Sequence, residues 1–370
     1  MVIGLFPELL AAGGIQRVGQ HTGAVVAAFA QRHGMAYRFL SLNDPPGLHR
    51  IRVAETDFVV SGFGRGKVRF ALAALRASRK NALLVLAAHA HLAPVAWAMK
   101  VRSPGLHALV LTHGIEVGMP LAQVRRWALR RADLVVAPSN DTARRLETQQ
   151  GLRREKIHQL PWGLDPQFKA LATNPGANHL PAGFPSGRIV LTVGRWAATE
   201  GYKGVDTLIA ALPRLLPAVP DLYLIAVGEG DDRSRLEQLA AEKGVVARVR
   251  FLSGLTLEEL AACYRRCDVF ALPSRGEGFG VVFLEAMAHG KPVVGGAHGG
   301  TPDIIEDGVT GLLVPHGDTE RLSGALKKLL TDQSLRQQMG LRARERVSSM
   351  YLFEHFAARL DGLLKQLCVS

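Results

Sequence analysis

The chain has 370 residues, is 48% hydrophobic and 21% charged, and carries a formal net charge of +13. That length is too great for one ordinary core and natural for two domains, and the apolar content allows large cores to be buried. No uncharged run of about 18 apolar residues is present, which excludes a membrane-spanning helix. Cys263, Cys267 and Cys368 make an odd count with no C-x-x-C pair. This argues against a disulfide framework or a zinc site and suits packing or surface thiols in a reducing cytosol.

The charge is unevenly placed. Residues 1–170 hold 23 Lys and Arg against 10 Asp and Glu, a net of +13, whereas residues 171–370 hold 22 of each. A basic first half points to an anionic partner such as a lipid phosphate, a membrane surface or nucleic acid. The competing reading is an arginine-rich composition with solvated faces.

Taken in chain order, Met-Val-Ile-Gly-Leu-Phe lacks the basic start and cleavage site of a signal peptide, so it reads as a first strand and implies a cytoplasmic protein. Val2–Phe6, Phe58–Val60, Leu83–Ala87, Ala108–Thr112 and Leu134–Ala137 read as buried strands. Val18–Arg32, Val68–Arg79 and Leu121–Arg131 between them have helical spacing. Alternation of this kind predicts βαβ units around a parallel sheet. The Pro- and Gly-rich segment from Pro161 to Gly187 breaks the pattern and reads as a linker.

The pattern then restarts. Strands are expected at Ile189–Val193, Tyr223–Val227, Val249–Leu252, Val269–Ala271, Pro292–Val294 and Gly311–Val314. Helices are expected at Val205–Leu216, Arg233–Lys243, Thr256–Arg265, Val281–His289 and Thr319–Thr331, with a last amphipathic run at Tyr351–Leu367. The fold class is therefore α/β, two doubly wound domains facing a cleft: residues 1–170, residues 171–349, and a terminal helix over 350–370. Ligands in such sheets sit beyond the C-terminal ends of the strands.

The stretch Arg275-Gly-Glu-Gly-Phe-Gly-Val-Val-Phe-Leu-Glu285 is the strongest motif. Gly278-Phe279-Gly280 lets backbone N–H groups approach a ligand, and the helix starting near Val281 aims its N-terminus at the same spot. Glu277 before the turn and Glu285 in the helix can accept hydroxyls on either side of a diphosphate. Arg195, after a strand ending Val193-Gly194, and Lys203, before a helix, suit a diphosphate leaving group. Taken without the glutamates they would pass as surface cations.

Weaker signals remain. Gly13-Gly14 lies between a strand and a helix, as a phosphate-facing turn would. His113 stands at a strand end beside Gly114, with His89 and His91 as lesser copies at another strand end. Gly295-Gly-Ala-His-Gly-Gly-Thr-Pro-Asp303 reads as a flexible turn. Arg125, Arg126, Arg130 and Arg131 share a helix with Trp127, which suits an anionic membrane or a solvated basic face. Ser61-Gly-Phe-Gly-Arg-Gly-Lys67-Val68 fails as a phosphate loop, because the first glycine and the metal-binding hydroxyl are missing. No Asp-x-Asp pair is present to hold a divalent metal.

Together these residues resemble the retaining glycosyltransferases of the GT-B fold, family 4, of the "glycosyl transferases group 1" type. The resemblance spans the chain, is strongest over residues 188–345, and is clear at Gly13-Gly14, His113-Gly114, Ala132-Asp133 and Pro138-Ser139. Its specific element is Glu277 and Glu285, supported by Arg195 and Lys203. It implies that Glu277 holds donor-sugar hydroxyls with help from Gly278, Phe279, Gly280 and Val281, and that Glu285 holds the ribose. Arg195 and Lys203 would neutralise the diphosphate, Gly14 would bring backbone to it, and His113 would stand near the transferred sugar. Backbone near Gly228, Glu229, Gly254 and Leu255 would meet the base.

The resemblance further implies a metal-independent, retaining hexosyltransferase. It would take a nucleotide sugar such as a UDP- or GDP-hexose, with no cofactor, and a glycan or lipid-linked acceptor in cell-envelope synthesis. A peripheral position on the inner face of the cytoplasmic membrane would follow, with no role for nucleic acid. The alternatives are a GT-B sugar phosphorylase or synthase, or a basic nucleic-acid-binding protein, although aromatics are only 6%. Two departures from the family pattern stand out: the interval from Arg195 to Lys203 is stretched by residues 196–202, and Trp162-Gly163 replaces the commoner Asn-Gly.

Overall fold

Parallel sheets bury both faces, so their strands read as continuous apolar runs. The computed structural model describes residues 1–79, 81–173 and 179–368 and contains fourteen strands among them, most of them apolar runs of this kind. Eight form the first sheet: β1 Val2–Phe6, β2 Tyr37–Ser41, β3 Gly47–Val53, β4 Thr56–Gly62, β5 Leu84–Ala87, β6 His107–Leu111, β7 Leu134–Ala137 and β8 Ile157–Gln159. Six form the second: β9 Arg188–Val193, β10 Leu222–Val227, β11 Val249–Leu252, β12 Val269–Leu272, β13 Val293–Gly296 and β14 Gly311–Val314.

The first sheet runs β3-β4-β2-β1-β5-β6-β7-β8 and the second β11-β10-β9-β12-β13-β14. All pairings in the second are parallel. The order reverses between β9 and β12, and in the first sheet between β1 and β5. The fold is thus α/β and doubly wound in each half. One correction concerns the first sheet, where β3 and β4 pair antiparallel as an edge hairpin with Gly47 opposite Gly62. Arg50, Arg52, Asp57 and Val59 alternate outward there, so the hairpin lacks the continuous apolar run of its buried neighbours.

The chain divides into two compact units, one made of residues 1–163 with the segment from Phe353 onward, the other of Leu164–Leu352. In the first, the terminal helix Phe353–Cys368 packs on the helix Gly14–Arg32, and Arg32 pairs with Asp361. The segment taken as a loop-rich linker contains the helix Pro166–Thr173, which belongs to the second unit; residues 174–178 lie outside the described residues. Pro at the first helical position explains why a proline-rich stretch still nucleates a helix.

Each unit has its own core. Ile3, Val85, Val110 and Val135 from the first sheet meet Phe70, Met99 and Leu129 from the helices Lys67–Ala77, Ala93–Arg102 and Gln123–Arg130. In the second, Val190, Leu224, Val269 and Val294 meet Leu208, Leu212, Leu326 and Met339. Helix starts are set locally. Thr256 and Glu259 form a reciprocal capping box, and Ser139 accepts the Thr142 N–H. Cys263 and Cys267 are buried in the helix face that packs on the sheet, where burial pushes both thiols up to about 12.

Candidate active site

The C-terminal ends of β9 and β12 flank the point where the strand order of the second sheet reverses, the usual ligand crevice of such a sheet. β9 ends at Val193 and delivers Gly194-Arg195; β12 ends at Leu272 and delivers Pro273 to Glu277. β10 and β11 end at Val227 and Leu252, just before Gly228-Glu229 and Gly254-Leu255. The donor-side residues singled out from sequence therefore follow the C-terminal ends of β9, β10, β11 and β12.

Arg195 does not stand alone. Its guanidinium pairs with Glu200, whose other carboxylate oxygen lies 3.4 Å from the Lys203 ammonium. Glu200 was not among the residues read from sequence. Residues 198–203 form two short 3₁₀ turns that meet in a kink at Glu200, and the kink leaves the Glu200 carboxylate beside Lys203. The Glu200 and Lys203 side chains are only 11% and 15% exposed, whereas that of Arg195 is 72% exposed. The carboxylate thus anchors an open guanidinium from below. The stretched interval is itself fixed, because the Arg275 N–H donates to the Tyr202 carbonyl at 2.8 Å. This ties the Lys203 turn to the loop that carries Glu277.

Glu277 is half-buried as a residue, yet its Oε1 is sealed from solvent with no hydrogen-bond partner among the described residues. Burial pushes its carboxyl above the usual range; Lys203 works against that shift, Glu200 adds to it, and a hydrogen bond with Ser274 opposes it. An unpaired buried carboxylate oxygen is costly, so the site is primed for a hydroxyl donor. The backbone beneath is pinned by the Gly300 N–H, which donates to the Glu277 carbonyl at 2.7 Å. The glycine run from 295 to 303 is therefore a support packed under the turn, not merely a flexible loop edge.

Gly280 precedes the helix Val281–Ala288 at φ +100, a conformation that side-chain-bearing residues avoid. Phe279 is buried and meets Tyr351 edge-on. Glu285, in the middle of that helix, is buried and accepts a 2.7 Å hydrogen bond from the hydroxyl of the fully buried Tyr264. Burial and Glu285 together hold that phenol well above its ordinary range. His289 donates from Nδ1 to the Glu285 carbonyl at 2.8 Å, and burial lowers its pKa to about 4, so it is neutral. Tyr264 and His289 were not singled out from sequence, since buried aromatic and imidazole side chains are indistinguishable there from core.

Gly228 packs so closely that a Cβ would lie 1.7 Å from the Gly194 carbonyl oxygen. Its N–H donates to Leu252, and the Glu229 carbonyl accepts from the Trp196 N–H at 2.7 Å. Gly228-Glu229 is thereby locked against the strand that carries Arg195. Gly254 is exposed and Leu255 partly so. Among the described residues, no cluster of three His, Cys, Asp or Glu side chains is arranged to hold a metal ion.

In the first unit, the ends of β5 and β6 bring His89, His91 and His113 together, with rings 4.5 Å and 5.5 Å from His89, and Trp162 lies 5.6 Å from His113. The His113 Nε2 donates to the Ala88 carbonyl at 2.9 Å, and its backbone N–H donates to Glu116. Burial, then the neighbouring His113, His91 and Arg125, lower the pKa of His89 to about 3. Gly14 opens the helix after β1, and the loop before it is held by buried Asp44, which accepts the Leu9 and Leu10 N–H groups and the Ser41 hydroxyl. Asp44 is a further residue that sequence reading passed over.

Residues 183–346 match the family model described as "Glycosyl transferases group 1", and residues 18–168 match "Glycosyltransferase Family 4". The chain is 36% identical over 267 residues to the GDP-mannose-dependent alpha-(1-6)-phosphatidylinositol monomannoside mannosyltransferase of Mycolicibacterium smegmatis, covering 68% of each. It is 33% identical over 267 residues to the monoacylated-substrate counterpart of Corynebacterium glutamicum, covering 69% of this chain and 68% of that one. Among solved structures, sucrose-phosphate synthase of Thermosynechococcus elongatus superposes with a TM-score of 0.79 at 24% identity, covering 99% of this chain and 98% of that one. Anabaena HepE in complex with UDP superposes at 0.73 and 20%, covering 99% of each chain.

The fold and the strand-end residues define a GT-B sugar-nucleotide enzyme. The chain belongs to the family 4 glycosyltransferases, which move a sugar from a nucleotide donor to an acceptor hydroxyl. That membership sets aside the reading as a nucleic-acid-binding protein.

Proposed function

We propose that the chain is a retaining, metal-independent hexosyltransferase that uses a GDP-hexose, GDP-mannose in the first instance, and a phosphatidylinositol-linked glycolipid acceptor. The donor and acceptor classes follow those named for its mycobacterial and corynebacterial relatives. The observation that carries the reading is the sealed, unpartnered Oε1 of Glu277 on the same loop system as Arg195 and Lys203. A donor-sugar hydroxyl would satisfy that oxygen while the two cations take the charge on the departing diphosphate. Arg195 and Lys203 supply what a divalent cation would otherwise supply, and the sequence has no Asp-x-Asp pair to hold one. In this reading the leaving phosphate takes the acceptor proton, and Glu277 orients the sugar instead of acting as a base. Glu285 holds the ribose with its carboxylate oriented by Tyr264. The roles of Gly14 and His113 are carried over from the family.

The test is transfer from GDP-mannose, UDP-glucose and ADP-glucose to a phosphatidylinositol mannoside, with and without EDTA, reading the anomeric configuration of the product by NMR. GDP-mannose is expected to be consumed in EDTA with retained configuration. Inversion, or complete loss in EDTA, would overturn the mechanism; consumption of none of the three donors would overturn the substrate reading.

A further inference from the structure

The chain enters the second unit at Leu164 and leaves it after Leu352. These two points meet: Leu164 and Leu352 form a parallel bridge, and the Leu164 N–H donates to the Tyr351 carbonyl at 2.6 Å. Tyr351 also caps the end of the helix Gln333–Met350, its N–H donating to the Val347 carbonyl. Its side chain is only 4% exposed, so it acts on the protein and not on a substrate.

That side chain reaches two supports of Glu277. Its ring meets the ring of Phe279 at 5.9 Å, in the turn that follows Glu277. Its hydroxyl donates to the Asp303 carbonyl at 2.8 Å, at the far end of the glycine run beneath that turn. Arg346 lies over the Tyr351 ring at 5.8 Å and donates to the Ile304 and Asp303 carbonyls at 2.8 Å and 3.0 Å. The glycine run fits the turn without slack. A Cβ at Gly299 would lie 2.4 Å from the Glu277 carbonyl oxygen, and one at Gly300 would lie 2.4 Å from that of Gly278. The Asp303 N–H donates to the Gly300 carbonyl, and the Gly300 N–H donates to Glu277. One line of contacts therefore runs from the Tyr351 hydroxyl through Asp303 and Gly300 to the Glu277 backbone. A shorter one runs from the Tyr351 ring through Phe279.

We infer that Tyr351 is a positioning residue for the sugar grip: its ring braces the Phe279 turn, its hydroxyl braces the glycine support, and together they set where the Glu277 carboxylate stands. Three observations argue for this over simple packing. The Asp303 carbonyl already accepts from Arg346, so the hydroxyl is a second bond on one oxygen and tightens the support. The sealed Oε1 of Glu277 is unfavourable without a partner, and such an arrangement persists only where the surrounding backbone cannot relax. Both braces start at the residue held where the chain enters and leaves the unit, which gives them a fixed base. The inference rests on the role proposed above for Glu277.

A double-variant cycle tests it in the whole chain, with GDP-mannose and a phosphatidylinositol mannoside. Tyr351→Phe keeps the ring and removes the hydroxyl, whereas Tyr351→Leu removes both contacts. Transfer is expected to fall about 3-fold to 10-fold in Tyr351→Phe and about 30-fold in Tyr351→Leu, since small misplacements of a reacting group are costly. GDP affinity should stay within about twofold of wild type, because the diphosphate cations are held elsewhere. In the Glu277→Ala background, Tyr351→Phe should change the rate by no more than about twofold, because no carboxylate is left to position. A general packing defect would instead lower both backgrounds by the same factor. Tyr351→Phe alone decides the matter if Tyr351→Leu fails to fold. The inference is overturned if Tyr351→Phe transfers as fast as wild type, if its loss recurs in full in Glu277→Ala, or if GDP affinity falls in step with the rate. A Glu277→Ala enzyme as active as wild type would overturn the grip and this inference with it, and that failure shows in the single variant before Tyr351 is touched.

Discussion

The strand ends of the second sheet bring opposite charges together, with Glu200 against Arg195 and Lys203 and with Glu277 beyond them. The strand ends of the first bring together three histidines and Arg125, and Glu116 is the acid among them. Both arrangements arise at a reversal of strand order, so topology chooses the place and side chains choose the chemistry. In the second unit, burial raises the Glu277 carboxyl, Lys203 opposes and Glu200 adds to that shift, and its Oε1 has no hydrogen-bond partner among the described residues. In the first, burial keeps the His89 imidazole neutral, and the neighbouring His113, His91 and Arg125 add to the effect.

The largest effect expected is at Glu277. Glu277→Ala should lower the transfer rate by about 10²–10³-fold, the scale lost with one group aimed at the reacting centre, with an unchanged circular dichroism spectrum. His113→Ala is expected to slow transfer with no change in GDP affinity, so equal loss of both would break the division of labour between the units.

Next comes packing. A Cβ at Gly228 would lie 1.7 Å from a backbone oxygen, at φ +144. Gly228→Ala should therefore destabilise the second unit by about 3 kcal/mol. Gly34→Ala, at φ +62 with nothing near the new methyl, should cost about 1 kcal/mol. Urea midpoints measure both, and equal losses would contradict the close strand-end packing.

A smaller effect is expected at Glu200. Glu200→Gln should weaken GDP binding by about twofold to fivefold, since the pair it forms with Arg195 is open to solvent on the arginine side, and should leave guanosine binding unchanged. Calorimetric titration of the two ligands reads the difference.

The smallest effect concerns pH, and its sign differs between the units. His89 titrates near 3 when folded against 6.5 unfolded, so its contribution to stability is present above 6.5 and is lost as pH falls from 6.5 towards 3. The Glu277 carboxyl is raised, so its ionised form opposes folding, and that penalty fades as pH falls through its folded value. Glu277→Gln should melt about 2–4 °C above wild type at neutral pH, with the gap closing in acid. A scan of melting temperature against pH for wild type, Glu277→Gln and His89→Phe measures both signs.

Much of this was legible in the sequence because the second unit is regular. Its strands are continuous apolar runs, and the residues after them could be read in order as a ligand-facing set. The first unit was less legible. β2 and β3 carry arginines, a tyrosine and a histidine among their apolar residues, so no uninterrupted run announced them, and of β4 only Phe58–Val60 read as a strand. At the site, Glu277, Glu285, Arg195 and Lys203 stood out by spacing, whereas Glu200, Tyr264, His289 and Asp44 did not. Glu200 gains its position from a kink between two 3₁₀ turns, and Asp44 reaches Leu9 from the end of the neighbouring strand. Neither relation leaves a period in the sequence. The Phe279–Tyr351 contact likewise depends on tertiary packing, which spacing alone does not reveal.

The central claim is that Glu277 grips the sugar while Arg195 and Lys203 grip the diphosphate. Its most direct test is the ratio of affinities for GDP-mannose and GDP, measured calorimetrically in the wild type and in Glu277→Ala. The account predicts that the wild type prefers the sugar nucleotide and that the variant loses this preference while keeping its affinity for GDP. A variant that keeps the preference, or a wild type that never shows one, would contradict it.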